Sequence, residues 1–494
     1  MSYAEVFSRA KQGLDAPVVQ VEVHISNGLP AFAIVGLAET AVRESRDRVR
    51  SAIINSHFEF PDRRITVNLA PADLPKSGGR FDLPIALGIL SASGQLPSEL
   101  LQGSECYGEL ALDGSLRAVR GALSATLAAT QASRRVILPS GNHADCALVP
   151  HSKLLSAPDL LSLCAGLRGH KISPQKSTVV CKEGRQHPDL ARVKGQLAAR
   201  RALEITAAGG HNLLMIGPAG TGKSLLASCL PSILPPLDDE EWLTVRALQD
   251  LIEAPALATA RDRPFRAPHH SASAAALVGG GSVPRPGEIS LAHGGVLFLD
   301  ELAEFSRHTL DMLREPLENG QVSLARAACT VSYPAQFQLV AAMNPCICGL
   351  AGDSTEQCRC TQAQITSYQN RLSGPLLDRI DLQVRVEREN PLFLLDDSSS
   401  ESSDTVRRRV LAAVARQQTR GGRNCELCGD RLITACKVQR VEKEILRHGA
   451  EKLKLSNRAV ERVLRVARTI ADLKQQDTVD SDSIKEAIGY RIAA

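Results

Sequence analysis

The chain is poor in aromatic side chains, which make up only 3% of its 494 residues, and it contains a single tryptophan. It also has no uninterrupted run of eighteen apolar residues, which argues against an ordinary membrane-spanning helix. The N-terminal residues lack the basic and then apolar pattern of a secretion signal. We therefore expect a protein that stays in the cytoplasm and has no membrane partner.

The net charge of the whole chain is only +4, but the charge is unevenly distributed. Between residues 405 and 474, basic residues outnumber acidic ones by 18 to 7. Because aromatic residues are scarce, this excess favours contact with a phosphate backbone over stacking on bases. A solvated helix face would explain any one of these charges equally well.

One segment predicts a phosphate-binding loop. It fits the pattern G-x-x-x-x-G-K-[ST], follows an apolar strand-like run and precedes a helix-like run, which is the context that a P-loop requires. The predicted nucleotide-binding residues are Gly217, Pro218, Ala219, Gly220, Thr221, Gly222, Lys223 and Ser224. Backbone N–H groups would surround phosphate oxygens, Lys223 would reach the β- and γ-phosphates, and Ser224 would bind Mg²⁺.

A second segment, residues 296–301, has four apolar residues followed by two acids. This pattern predicts a buried strand that delivers Asp300 to the magnesium ion and Glu301 to the attacking water. Alone, each segment could be a glycine turn or a strand that ends in solvated acids. Together and in this order, they predict an enzyme that hydrolyses a nucleoside triphosphate.

Three further polar residues are candidates for the same reaction. Asn344 follows a strand-like run, where its amide could hydrogen-bond the attacking water or the γ-phosphate. Arg379 lies between carboxylates after a short helix, and it could either pair locally with aspartate or bring positive charge across a subunit boundary. Arg458, at the head of the last long helix, is either a second such cation or a surface arginine.

Four of the thirteen cysteines form a C-x-C, nine-residue, C-x-C pattern: Cys346, Cys348, Cys358 and Cys360. Four soft ligands on one glycine-bearing loop favour a closed structural Zn²⁺ site, with an iron–sulfur cluster or free thiols as alternatives. A second pair, Cys425 and Cys428, lies near Cys436 but has no evident fourth partner, so we expect it to be unliganded.

The order of elements predicts an α/β fold with three domains and a linker. We expect an α/β domain at 1–165, a linker at 166–188, a nucleotide-binding core with a parallel sheet at 189–390, and a helical lid at 391–494. The zinc-binding loop, 346–360, belongs to the core.

The order of the two phosphate motifs, the asparagine and the two arginines resembles that of AAA+ ATPases. Residues 266–273 and 286–293 resemble the branch that contains magnesium chelatase and the MCM helicases. Over nearly its whole length, notably at 26–30, 44–50 and 78–87, the chain resembles the magnesium-chelatase-like YifB/ComM family. Ala219 stands where that family usually has proline, but phosphate binding needs no side chain there.

This resemblance implies an ATP- and Mg²⁺-dependent homohexamer that drives branch migration of DNA during natural transformation, alongside recombination proteins. Residues 193–196, including Val193 and Gln196, would line the pocket that binds the adenine. A hairpin formed by 322–326 and 330–333 resembles the MCM pore hairpin, with Arg326 at its tip. A glycine-rich loop at 279–287 resembles a second insertion, with Arg285 near its apex. Both arginines would contact DNA, unless they are merely solvated loop charges.

Residues 66–140 resemble the proteolytic domain of Lon proteases, which raises the alternative of an ATP-driven protease. That reaction needs a serine nucleophile and a lysine base, but Asp82 and Ser124 occupy these two positions. We therefore expect a Lon-like domain without protease activity. The other alternative is a magnesium-chelatase-like motor that acts on a substrate other than DNA.

Overall fold

A computed structural model describes residues 2–36, 44–171, 187–252, 261–281, 284–325, 330–352, 357–388 and 400–491. No helix in these ranges is long and apolar enough to span a membrane. Two β-sheets and a set of C-terminal helices account for most of the regular structure.

The first sheet has seven strands in the order β3-β4-β2-β1-β5-β8-β9. The strands are β1 (Ser2–Arg9), β2 (Val18–Ser26), β3 (Ala31–Val35), β4 (Arg64–Ala70), β5 (Ser104–Cys106), β8 (Arg135–Pro139) and β9 (Leu154–Ala157). The β1–β2 and β2–β4 pairs are antiparallel, and the other neighbours are parallel. Between β5 and β8, β6 (Glu109–Leu110) and β7 (Leu116–Arg117) form a small ribbon.

Alternating apolar residues give this sheet a buried face. In β2 every second side chain is buried, which is the period expected of a strand with one face on a core. The helices of this part are α1 (Ser45–Asn55), α2 (Asp82–Ala92), α3 (Ala122–Gln131), α4 (Ser140–Cys146) and α5 (Leu160–Leu167). α2 is buried along almost its whole length and packs against β1 and β2. α5 continues two residues into the expected linker, and most of that linker, 172–186, lies outside the described residues.

The second sheet is parallel and has five strands in the order β11-β14-β17-β10-β18. Its strands are β10 (Leu213–Ile216), β11 (Phe265–Arg266), β14 (Val296–Leu299), β17 (Gln338–Met343) and β18 (Leu382–Arg385). Every residue of β14 and β17 is buried. Helices cover both faces of a parallel sheet, so its central strands are apolar runs rather than alternating ones.

Shorter elements surround this sheet. The helices are α6 (Leu197–Gly209), α7 (Lys223–Ile233), α8 (Asp239–Asp250), α9 (Ala274–Val278), α10 (Glu288–Leu291), α11 (Arg307–Asp311), α12 (Arg314–Asn319), α13 (Gln362–Gln369) and α14 (Gly374–Leu377). Two antiparallel pairs project from the connections: β12 (Gly279–Gly280) with β13 (Arg285–Pro286), and β15 (Gln321–Ala325) with β16 (Thr330–Pro334).

The C-terminal part is helical, with α15 (Ser403–Gln418), α16 (Gly429–Cys436), α17 (Arg440–Leu453), α18 (Asn457–Leu473) and α19 (Ser481–Gly489). α15 and α18 pack against α6 beside the parallel sheet. A buried ionic group stabilises these helices: Asp472 accepts hydrogen bonds from Arg468 at 3.0 Å, Arg420 at 2.9 Å and Asn424 at 2.8 Å. Arg468 is completely buried, so its charge depends on this partner.

Asp472→Ala should therefore lower the free energy of unfolding of the helical part by about 3–5 kcal/mol, because it leaves a buried guanidinium unpaired. Loss of helical circular dichroism in urea measures the change. Asp482→Ala is the control, since Asp482 is exposed and pairs with the exposed Lys485 at 3.4 Å. Equal midpoints for the two variants would contradict a stabilising role for Asp472.

Candidate nucleotide site and cysteine cluster

The predicted P-loop joins β10 to α7 at the carboxyl ends of the parallel strands. The backbone N–H of Gly217 donates to the Met343 carbonyl at 3.2 Å, which ties the loop to the neighbouring β17. A Cβ on Gly217 would lie 2.0 Å from the Val386 carbonyl oxygen, so only glycine fits at this close approach. Gly222 caps α7 with φ of 82°, a backbone conformation that favours glycine.

Lys223 is the first residue of α7, and its ammonium lies inside the loop. It donates to the carbonyls of Gly217 and Pro218, each at 2.7 Å, and to Oδ1 of Asn344 at 3.3 Å. Burial of the ammonium lowers the pKa of Lys223. The structure thus brings together the lysine and the asparagine, which are 121 residues apart in the sequence.

The acidic pair follows β14, next to the loop. Ser224 Oγ donates to Oδ2 of Asp300 at 2.6 Å, so the two predicted magnesium ligands are already adjacent. Glu301 has φ of 50°, in the left-handed region that residues other than glycine seldom occupy. Such conformations persist where the surrounding structure holds them, and they cluster at functional sites.

Sequence reasoning missed His270 as a site residue. Its Nδ1 lies 2.9 Å from Oε2 of Glu301, and its ring centroid is 4.1 Å from that of His269. His270 belongs to the segment 266–273, which we used only for its resemblance to magnesium chelatases. The signal that could have identified it is the pair of adjacent histidines in that segment.

Val193 and Gln196 lie on the β18 side of the loop. Val193 is buried, and its carbonyl accepts a hydrogen bond from Arg200 at 3.0 Å. Gln196 donates to the carbonyl of Glu387 at 2.6 Å, one residue after the Val386 carbonyl that contacts Gly217. Gln196 therefore lies beside the backbone that contacts the loop, whereas the contribution of Val193 to an adenine site stays a prediction.

The four predicted metal ligands form one compact group, with all four sulfur atoms within 4.8 Å of one another. The Sγ atoms of Cys346, Cys348 and Cys358 are 3.4, 3.5 and 3.7 Å apart, too far for disulfides. A tetrahedral zinc site with Zn–S bonds of about 2.3 Å requires sulfur separations of about 3.8 Å. The cluster therefore has the donor type and spacing that Zn²⁺ requires.

The cysteine cluster also touches the nucleotide loop. A Cβ on Gly349, within the cysteine loop, would lie 3.9 Å from both the Ala219 nitrogen and Asn344 Cγ. Backbone N–H groups of Arg359 and Leu350 lower the pKa of Cys348 to about 6. The other cysteine pair differs, because Cys425 and Cys428 are not part of any metal-ligating group among the described residues.

Arg379 and Arg458 lie together at the opposite end of the parallel strands. Both line a cavity of about 550 Å³ that also contains Arg423 and Glu318. Arg379 is bound by Glu318 and by the Pro375 carbonyl at 2.6 Å, so its partner is not a neighbouring aspartate. Arg458 is exposed. The structure therefore brings the two arginines to one place and separates both from the P-loop of the same chain.

The two predicted insertions are both present as strand pairs. β15 and β16 pair from Gln321–Pro334 to Ala325–Thr330, while Arg326, the expected tip residue, lies outside the described residues. Arg285 is exposed and pairs with Gly280 in a short ribbon, while residues 282 and 283 of the turn lie outside the described residues, so its expected position near the apex stays a prediction. The hydroxyl of Tyr333 donates to the Pro284 carbonyl at 2.9 Å and joins the two insertions.

The two positions that the sequence resemblance aligned with a protease dyad are both buried. Asp82 is paired with Arg48 at 2.8 Å, and Ser124 lies within α3. Lys76 is buried and donates to the Pro71 carbonyl. No nucleophile and base are brought together at these three positions.

Three family models match the chain in succession. Residues 21–142 match "Subunit ChlI of Mg-chelatase", 189–392 match "Magnesium chelatase, subunit ChlI", and 400–491 match "Magnesium chelatase, subunit ChlI C-terminal". The middle match contains the P-loop, the acidic pair, the cysteine cluster and Arg379.

Relatives of two kinds are found. A protein named YifB from Escherichia coli (strain K12) is 50% identical over 99% of this chain and 97% of its own length. A competence protein, ComM, from Haemophilus influenzae is 46% identical over 99% of this chain and 98% of its own length. The magnesium-chelatase 38 kDa subunit of Cereibacter sphaeroides is 29% identical, but over only 31% of this chain and 51% of its own length.

We predict that the purified protein holds one zinc ion per chain and that Cys346→Ser loses it and unfolds at a lower temperature, because a buried ligand is removed. Metal analysis by mass spectrometry and thermal unfolding measure the two effects. Cys428→Ser, which changes an exposed cysteine outside the cluster, should keep both the metal and the stability. Absence of zinc from the wild-type protein would overturn the assignment.

Proposed function

The chain belongs to the YifB/ComM family of magnesium-chelatase-like proteins, and from this membership we propose that it is an ATP-driven motor that moves branched DNA. The observation that carries the proposal is the arrangement around one parallel sheet. Lys223, Asp300, Glu301 and Asn344 lie at one end of its strands, and Arg379 lies at the other. That arrangement supports an ATPase whose sites are completed between subunits.

ATP would lie along the P-loop, residues 217–224, with its adenine beside Val193 and Gln196. Lys223 would exchange its carbonyl partners for phosphate oxygens, since an ammonium binds a phosphate more strongly than a neutral carbonyl. Ser224 and Asp300 are the residues that would hold Mg²⁺. Bound there, Mg²⁺ would supply positive charge that offsets the negative charge developed during phosphoryl transfer.

Glu301 would accept a proton from the attacking water, and Asn344 would orient that water or the γ-phosphate. His270 holds one oxygen of the Glu301 carboxylate, which leaves the other oxygen available for water. We assign His270 as a positioning residue, because it contacts the general base rather than the nucleotide.

Arg379 and Arg458 would enter the nucleotide site of a neighbouring subunit in a homohexamer. Before assembly, Arg379 is paired with Glu318. On assembly, a phosphate bound to the neighbouring subunit would replace Glu318 as the partner of Arg379. Charge-assisted contacts of this kind stabilise the transition state of phosphoryl transfer. Each hydrolysis event would then move one subunit against the next.

The two insertions in the core favour DNA as the substrate that the motor moves. The hairpin of β15 and β16, with Arg326, and the ribbon of β12 and β13, with Arg285, would contact DNA as the subunits move. The competence name of the Haemophilus influenzae relative supports branch migration during DNA uptake, in cooperation with recombination proteins. The YifB relative matches nearly the whole chain, whereas the magnesium-chelatase subunit of Cereibacter sphaeroides matches only about a third of it. A chelatase reaction is therefore less well supported.

The remaining parts would support this motor. We propose that the N-terminal sheet is a Lon-like domain without a catalytic dyad and that the C-terminal helices act as a lid over the core. Zn²⁺ in the cysteine loop would fix the backbone beside Ala219 and Asn344 rather than take part in chemistry. The protein would act in the cytoplasm, where ATP and DNA are present.

Glu301→Gln should retain ATP and Mg²⁺ binding but reduce hydrolysis by about 10²- to 10⁴-fold, because the amide cannot accept the proton. Hydrolysis and movement of a synthetic four-way junction should be measured together. Glu304→Gln is the matched control: Glu304 lies three residues away, is exposed and pairs with Arg371 at 3.2 Å. If the wild-type protein hydrolyses ATP but leaves junctions unmoved, the DNA-motor proposal fails.

A further inference from the structure

Positive charge gathers where the N-terminal sheet meets the two insertions of the core. Lys11 lies in the turn between β1 and β2, Arg80 precedes α2, Arg120 precedes α3, and Arg285 lies in β13. We call these four residues the junction cluster. Three of them belong to the N-terminal part, for which the proposed function names no ligand.

Direct packing fixes the place where these residues meet. Val331 Cγ1 of the hairpin lies 2.6 Å from the position that a Cβ on Gly13 would occupy, so the β1–β2 turn rests on the hairpin. The adjacent Leu14 packs against the apolar cluster that includes Val331 and Tyr333. Because Tyr333 also bonds to Pro284, the turn, the hairpin and the ribbon are held together.

Within the junction cluster the charged side chains are close neighbours. Lys11 Cγ and Arg80 Nη1 lie 3.5 and 3.8 Å from the position of a Cβ on Gly121, the residue next to Arg120. Burial, together with the positive charges of Arg285, Arg80 and Arg120, lowers the pKa of Lys11 to about 8. Like charges held this close repel one another, so their placement costs stability.

The part of the chain that the structure describes supplies no salt bridge to any of the four. Arg80 is only 4% exposed, yet its Nε and Nη1 have no hydrogen-bond partner there. The nearby acid, Asp250, is buried and caps α3 by accepting from the Leu123 N–H at 2.8 Å. By contrast, the buried Arg9 nearby is fully matched by Glu105. Asp250 also attracts Lys11 and Arg80, and its Oδ1 has no hydrogen-bond partner among the described residues, but one carboxylate cannot balance four cations. The remaining excess of positive charge indicates a site for an anionic ligand.

We propose that the junction cluster binds the phosphodiester backbone of DNA, with Arg120 and Arg285 exposed, Lys11 half-buried beside them and Arg80 buried beneath. This inference rests on the proposed function and gives the N-terminal part a role in it. DNA is favoured over an acidic peptide because the cluster continues directly into the ribbon and hairpin, along which a repeating chain of phosphates can run. A contact with phosphates alone also suits a chain in which only 3% of the residues are aromatic.

The test compares DNA binding by the wild-type protein and by Lys11→Ala/Arg120→Ala. Fluorescence anisotropy with a labelled four-way junction, from 50 to 200 mM KCl, gives the affinity and its salt dependence. We expect at least tenfold weaker binding at low salt. The slope of log affinity against log KCl concentration should become shallower by about 2, one unit for each lost phosphate contact. Nucleotide binding should be unchanged, and the melting temperature should stay the same or rise because charge repulsion is relieved.

Two matched variants separate this role from net charge and from folding. Arg63→Ala/Arg117→Ala removes two exposed charges from the same part of the chain and should bind DNA almost as the wild type does. Lys11→Arg/Arg120→Lys keeps both charges and should restore binding. The inference is overturned if Lys11→Ala/Arg120→Ala binds DNA as tightly as the wild type, or if both alanine pairs weaken it equally. If the wild type binds no DNA at all, the proposed function fails with it.

Discussion

The parallel order of the five-stranded sheet is the constraint on which the rest of this molecule depends. Parallel strands place all their carboxyl ends at one edge, so three separate connections bring the P-loop, the acidic pair and Asn344 together there. Because β18 is parallel to the other strands, the residues that precede it, including Arg379, lie at the opposite edge, where the strands begin. Asn212 and Gly217 mark the two ends of β10, about 16 Å apart at about 3.3 Å per residue. One chain therefore cannot bring Arg379 to its own P-loop.

The half-buried amide side chain of Asn212 holds the edge that carries Arg379. Asn212 donates from Nδ2 to the Arg379 carbonyl at 2.8 Å, and its Oδ1 accepts the Leu339 N–H at 2.8 Å. Its own backbone N–H donates to Asp381 at 2.9 Å, and Asp381 also binds Arg462 of α18 at 2.9 Å. These bonds connect β10, β17, β18 and the C-terminal helices. A shift of those helices would therefore displace Arg379. Such coupling suits a motor in which subunits move against each other.

The local parts of the site could be predicted from the sequence because their chemistry lies in short, ordered patterns. The glycine loop, the apolar strand before Asp300 and the spacing of the four cysteines are each encoded within twenty residues. Contacts between distant segments could not be predicted. His270 meets Glu301, and Glu318 meets Arg379, only because the strands bring their connections together.

The central claim is that each ATP site needs residues from two subunits, and mixing two inactive variants tests it most directly. Lys223→Ala lacks a working P-loop but keeps Arg379, whereas Arg379→Ala keeps the P-loop but lacks the arginine. In mixed assemblies, some interfaces combine the intact half of each, so the account predicts that ATP hydrolysis reappears and peaks near equal amounts of the two. Hydrolysis that never exceeds the sum of the separate variants would contradict it.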